Sequence, residues 1–255
     1  MTLRIYLAGN VCLETNGAVL DDWRSVGRQG RLAFAFLASE YWRAVTREEL
    51  AEELWGGDPP PSWDRAMSAI VSKVKTLLGT MGQDGLDVAS SFGCYQMRLP
   101  VDVWIDVEAA AEGIDRAEGA LRAGAPRDAW GWAQIACHIA RRPFLVGEES
   151  PWACRTRAEM GEVLVRAHEC LSEIFVWSGE HANAARHAKL AVELEPFRET
   201  AHQRLMIAHA SAGNRAEALR AYERCRCLLA EELGVSPSPQ TEAVYVQILG
   251  QRLLD

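Results

Sequence analysis

The sequence holds no apolar run approaching the roughly 20 residues that a bilayer-crossing helix needs, and residues 1–11 lack the basic-then-apolar layout of a secretion signal. No membrane partner is expected, and the expected location is the cytoplasm. A paired cysteine framework is missing too. Seven cysteines, at 12, 94, 137, 154, 170, 225 and 227, are an odd count, most of them in helical patterns, and read as reduced, buried thiols. Cys225 and Cys227 do not make a metal pair, because i and i+2 leave a helix on different faces. The local signatures of catalysis are absent: no Gly-x-x-x-x-Gly-Lys loop, no Gly-x-Gly-x-x-Gly, no His-Glu-x-x-His and no Gly-x-Ser-x-Gly. Neither an enzyme nor a cofactor nor a metal is expected. Basic charge is scarce. The net charge is −8, with −2 over residues 1–100 (10 basic, 12 acidic) and −6 over residues 101–255 (17 basic, 23 acidic). Any nucleic-acid partner would have to be held by a local patch, with weak non-specific affinity.

What the chain does have is an internal repeat. Ala167 to Pro196 laid over Ala201 to Ala230 gives a spacing of 34 residues with Ala167/Ala201, His168/His202, Leu171/Leu205, Gly179/Gly213, Ala182/Ala216, Ala184/Ala218, Arg186/Arg220 and Leu194/Leu228 identical. That period belongs to tetratricopeptide-type helical hairpins, here turning at Gly179 and Gly213. Small residues at the start of each second helix allow close approach, and Leu190, Leu194, Leu219, Tyr222 and Leu228 are expected to fill the gaps. A single hairpin cannot bury its apolar face, so further units are expected. Residues 103–142 supply a degenerate one, with two helices split at Gly124-Ala125-Pro126. An irregular insertion runs from Arg142 to Trp152, a long helix from Thr156 towards Trp177, and a last helix from Thr241 to Leu249. His168 and His202, recurring at one repeat position, read as packing residues, and the nine tryptophans as core and interdomain packing.

The first hundred residues follow another pattern. Three short strands within residues 3–20 turn at Gly9 and at Asn16-Gly17, a strong hairpin signal. A helix from Gly30 to about Trp42 follows the basic cluster Arg24, Arg28 and Arg31, which reads equally as a solvated face or a phosphate contact. Thr46 to Glu49 forms a capping box that opens a second helix, ending at Gly56-Gly57. Ser62 opens a third helix, whose apolar positions Met67, Val71, Val74 and Leu78 are spaced 4, 3 and 4. Its opposite face carries Arg65, Ser68, Ala69, Ser72, Lys73, Lys75 and Thr76, with no carboxylate after Asp64. A hairpin around Ser90-Ser91-Phe92-Gly93 closes the segment. This order is that of a winged helix-turn-helix with an added amino-terminal sheet, and such a domain sets its third helix in the major groove. The expected fold is mainly α with a small β portion: a winged helix-turn-helix over residues 1–100, then a tetratricopeptide-like helical repeat domain over residues 101–255.

Glu195-Pro-Phe-Arg-Glu199, Ala212 to Leu219, Tyr222-Glu-Arg224 and Glu231 to Pro239 resemble the signature of the bacterial transcriptional activator domain. Arg142-Pro-Phe-Leu145 and Pro151-Trp152 are similar to its earlier landmark. With Arg47 to Ala51 and Val71 to Lys75 placed as in an OmpR-type winged helix, the chain resembles the SARP-type (antibiotic regulatory protein) activators of actinobacteria. The resemblance implies a cytoplasmic activator that binds direct repeats in double-stranded promoter DNA and touches RNA polymerase holoenzyme with its sigma factor. It implies the switching-on of a biosynthetic gene cluster, and two copies side by side on DNA, possible as a homodimer. By position, Ser68, Ser72 and Lys73 would read bases and Arg65 and Lys75 would meet phosphates. Ser90, Ser91 and Tyr95 would form the wing, and Thr46 with Arg47 would hold a phosphate at a helix start. Family members commonly carry arginine where this chain has Ser68, Lys73 and Lys75, and lysine lacks the bidentate fork that grips guanine. The rival reading is a helical-repeat interaction protein whose winged helix is degenerate or does not read DNA. The −2 charge of residues 1–100 and the serine at position 68 favour it.

Overall fold

A computed structural model describes residues 2–250. They divide into two compact units, residues up to 109 with 142–160, and residues 110–141 with those from 161 onward.

The first unit opens with β1 (Arg4–Tyr6), β2 (Cys12–Thr15) and β3 (Ala18–Leu20). β1 and β2 pair antiparallel with Ile5 opposite Leu13, so the two side chains that alternation sends inward meet directly, and both are buried. α1 (Gly27–Ser39) follows, starting and ending three residues earlier than the apolar period suggests. β4 (Val45–Thr46), α2 (Arg47–Trp55) and α3 (Trp63–Gly79) come next, then the hairpin of β5 (Asp87–Ser91) and β6 (Cys94–Arg98). β4 pairs with β6, making a three-stranded sheet in the order β4-β6-β5. This is the winged helix-turn-helix. Its core joins Leu32, Phe34 and Phe36 of α1, Leu50 and Leu54 of α2, Met67, Val71, Val74 and Leu78 of α3, and Val88, Tyr95 and Met97 of the hairpin.

Two features were not expected. β7 (Trp104–Ile105), within the stretch expected to form the helical hairpin of residues 103–142, pairs parallel with β1 and extends the first sheet to four strands, β3-β2-β1-β7. Asp106, fully buried just after β7, accepts the N–H groups of Leu7 (2.8 Å) and Ala8 (3.1 Å), which β1 leaves unpaired at its end. Burial raises this carboxyl above its usual range, against the lowering pull of the Leu7 and Ala8 amides. The second feature is that residues 142–160 complete this unit's core with Phe144, Leu145, Trp152 and Ala153. Phe144 and Phe36 each meet the Trp152 ring edge-on, at 5.4 and 5.3 Å. Glu53 of α2 accepts the Trp152 N–H at 3.1 Å.

The second unit is built from helical hairpins. α4 (Asp106–Arg122) and α5 (Pro126–Ala140) form one pair, α6 (Pro151–Trp177) and α7 (His181–Leu194) the next, α8 (Glu199–Ser211) and α9 (Arg215–Leu228) the third. A π-turn over Leu229–Leu233 ends at Gly234, and α10 (Pro239–Gly250) closes the array. The repeat is tetratricopeptide-like, with both repeat turns in the left-handed conformation that favours glycine: Gly179 at φ 80° and Gly213 at φ 74°. α6 begins at Pro151 rather than Thr156, because proline at a first helical position needs no amide partner.

The packing of the repeats corrects three expectations. Leu190 and Leu194 do not fill the α7 gap but are exposed, and the buried face of α7 is Ala184, His187, Ala188 and Ala191. Only Cys137, Cys170 and Cys225 are buried among the seven free cysteines, with Cys12 and Cys94 half-buried on strands and Cys154 and Cys227 exposed. Of the tryptophans, Trp23 and Trp152 are buried, whereas Trp42, Trp130 and Trp177 are exposed. His168 and His202 are buried as packing residues: His202 Nε2 meets the Pro196 carbonyl at 2.8 Å, and His168 Nδ1 lies 2.9 Å from His187 Nδ1.

Candidate nucleic-acid interface

α3 has two faces because its apolar spacing matches the helical period. Met67, Ile70, Val71, Val74 and Leu78 are buried, and Arg65, Ser68, Ala69, Ser72, Lys73 and Thr76 are exposed. Asp64 in the first turn is the last acidic residue on the helix, so every later charge on the exposed face is positive. On 3.6-residue geometry, Arg65, Ala69, Ser72 and Thr76 run along the middle of this face, and Lys73 and Lys75 lie on its opposite margins. Lys73 stands beside Ser25 and Val26, with Ser72, Thr76 and Thr80 completing a shallow hollow. Lys75 is half-buried, and its Nζ lies 3.9 Å from a carboxylate oxygen of Asp87 on β5. The Thr76 hydroxyl donates to the Ser72 carbonyl at 3.0 Å.

Three of the sequence-derived site residues meet, in an internal bracket. The Arg47 guanidinium donates to the Tyr95 hydroxyl (2.7 Å), the Asp64 carbonyl (2.8 Å) and the Ser68 hydroxyl (2.9 Å), and pairs with the Asp64 carboxylate (2.6 Å). Its carbon also stands 5.3 Å from the Tyr95 ring centre. Ser68 in turn donates to the Asp64 carbonyl at 3.0 Å, so its hydroxyl is engaged both as donor and as acceptor. Tyr95 is buried. Arg47 thus ties the start of α2, the first turns of α3 and the wing strand β6 into one piece.

Thr46 is exposed at the N-cap of α2 and accepts the Glu49 N–H at 3.1 Å, as the capping box requires. The first turn of α2 also carries Glu48 and Glu49. Arg43 bonded to Glu49 holds that carboxyl below its usual range. Ser90 and Ser91 are exposed on the β5 side of the wing. The wing tip is a residue the sequence reading passed over: Phe92, wholly exposed. The signal was present in its position, since Phe92-Gly93 fills a two-residue turn where Asn-Gly is the usual pair.

The basic cluster, which runs into the first turns of α1, is held by carboxylates. Glu148, buried, accepts both Arg28 (3.0 and 2.9 Å) and Arg31 (3.2 Å), and Arg24 pairs with exposed Asp22 at 3.2 Å. The Glu148 hydrogen bonds raise the Arg28 pKa.

Residues 105–249 match the bacterial transcriptional activator domain. The regulatory protein AfsR of Streptomyces coelicolor is 30% identical over 221 residues, which are 87% of this chain and 22% of AfsR. The transcriptional regulator RedD of the same organism is 27% identical over 252 residues, covering 94% of this chain and 71% of RedD. The solved structure of Mycobacterium tuberculosis EmbR in complex with a low-affinity phosphopeptide superposes with a TM-score of 0.86 at 24% identity, covering 99% of this chain and 66% of that one. The fold is therefore shared with EmbR, while this chain spans about a fifth of the length of AfsR.

Proposed function

We infer, because this chain belongs to the bacterial transcriptional activator domain family and is a SARP-type regulator, that it is a sequence-specific DNA-binding activator acting on direct repeats near a promoter. Residues 1–100 are its DNA-reading domain and residues 101–255 its activator domain. The observation that supports this best is the exposed face of α3, free of acidic residues from Arg65 onward in a chain of net charge −8. Arg65, Ser72 and Lys73 are the residues we assign to the groove, with Thr46, Lys75, Ser90 and Ser91 at its margins. Arg47, Ser68 and Tyr95 act from behind, by holding α3 against the wing. The helical repeats offer a surface to RNA polymerase holoenzyme with its sigma factor and help two copies sit on adjacent half-sites, in control of a secondary-metabolite gene cluster.

Selection of the purified chain against random duplexes at two salt concentrations tests this. An enriched direct repeat, bound with a steep salt dependence, is expected. The absence of any enriched sequence would falsify it. In that event the second reading takes over, a helical-repeat interaction regulator whose winged helix does not read DNA. The internal engagement of Ser68 and Arg47 and the pairing of Arg28 and Arg31 with buried Glu148 favour that alternative.

A further inference from the structure

Two hairpins of the first unit close with a two-residue turn in which both central residues take positive φ. Between Thr15 and Ala18 the turn is Asn16-Gly17, at φ 51° and 80°. Asparagine tolerates that region and glycine has no Cβ to clash. Between Ser91 and Cys94 it is Phe92-Gly93, at φ 48° and 75°. A bulky aromatic in that conformation is a strained outlier. Leu145 is the remaining non-glycine residue with positive φ among the described residues, and its burial offsets the strain. Phe92 has no such compensation, because its ring is wholly exposed. Packing within the fold gives no reason for phenylalanine at this position, and asparagine would suit the turn better.

The support beneath the ring is firm. The Gly93 carbonyl accepts the Arg47 N–H at 3.2 Å, and the Arg47 guanidinium bonds to Asp64 and Ser68 in the first turns of α3. The tip is thereby fixed relative to the end of α3 that carries Arg65. Val88 to Gln96 contains no charged residue, so no charge at the tip repels a phosphate or attracts one.

We propose that Phe92 is an apolar wedge that enters the DNA minor groove beside the base pairs faced by α3, partly unstacks one base step and kinks the duplex. The proposal rests on the DNA reading given above. Apolar side chains placed between base steps act in this way, and the distortion is cheapest at a pyrimidine–purine step. Phe92 therefore adds sequence preference at a position where no hydrogen bond is made.

The test takes the full chain and the duplex it selects from random sequence, measures affinity across a salt series, and reads the duplex bend from end-to-end energy transfer. Phe92→Asn is the informative variant, since it fits the turn and should melt no lower than the parent. It is expected to bind about tenfold more weakly, the scale of one apolar side chain's burial. Its salt slope should be unchanged, because no phosphate contact is removed, and its bend smaller. Phe92→Leu, still apolar, should recover part of the bend. Equal affinity and equal bend in Phe92→Asn, while Lys73→Ala weakens binding, would overturn the wedge and leave the DNA reading standing. A parent chain that selects no duplex would overturn both.

Discussion

Lys73 and Lys75 carry the same charge in different settings. Lys73 is exposed, whereas Lys75 has the Asp87 carboxylate 3.9 Å away. In anisotropy titrations, Lys73→Ala should weaken binding most on the selected sequence, relaxing the preference at the base pair it faces, and lower the salt slope by about 1. Lys75→Ala should change both less, because Asp87 already offsets part of its charge; an equal loss would place Lys75 on a phosphate. Arg47→Ala withdraws the donor from the Tyr95 and Ser68 hydroxyls and should lower stability by about 1–3 kcal/mol in urea denaturation. The exposed face of α3 could be read from the sequence because the 4, 3, 4 spacing of Met67, Val71, Val74 and Leu78 fixes which residues turn outward. The engagement of Ser68 could not, because its partner Arg47 lies 21 residues earlier and local periodicity says nothing of such a pair.

Among the elements, those defined by local chemistry were legible: the Thr46 cap, the Asn16-Gly17 turn, the Gly179 and Gly213 breaks. Those defined by distant partners were not. β7 is two residues long, too short to alternate, and exists because Arg4 and Ile5 pair with it. Asp106→Ala leaves the Leu7 and Ala8 amides buried without a partner and should cost about 2–4 kcal/mol by chemical denaturation. On α7 the sequence pointed to leucines, but the close approach of neighbouring helices selects alanines and His187. That histidine faces His168 and Phe175 of α6, with Cys137 of α5 beside His168 and Arg186 next to it in sequence. Burial first, then His168 and Arg186, pushes the His187 pKa down to about 4, and burial lowers that of His168. Below pH about 6.5 the unfolded chain takes up protons that the folded pair refuses. Stability should therefore fall as the pH drops from about 6.5 towards 4, by roughly 2 kcal/mol at pH 5. Urea midpoints at pH 7 and pH 5 check this, and His187→Phe should flatten the difference.

In the whole molecule, the compact unit that holds the winged helix is assembled from two stretches separated by residues 110–141. A fragment ending at residue 109 lacks Phe144, Leu145 and Trp152 from its core and leaves Arg28 and Arg31 without the Glu148 carboxylate. It should lack the cooperative thermal transition of the full chain, as followed by circular dichroism. A fragment that melts like the parent would show that these residues are dispensable. The sequence marked residues 142–152 as an irregular insertion, but its destination depends on three-dimensional contacts of Glu148 and Trp152 that no local pattern encodes. The interruption also has a consequence during synthesis. Domains generally fold in the order in which they leave the ribosome, yet here the last core residues of the first unit are translated only after α4 and α5. A prematurely terminated polypeptide that stops before Trp152 would carry the whole of α3 on an incomplete core. Under the DNA reading proposed above, such a product would be open to proteases before it could compete for binding sites.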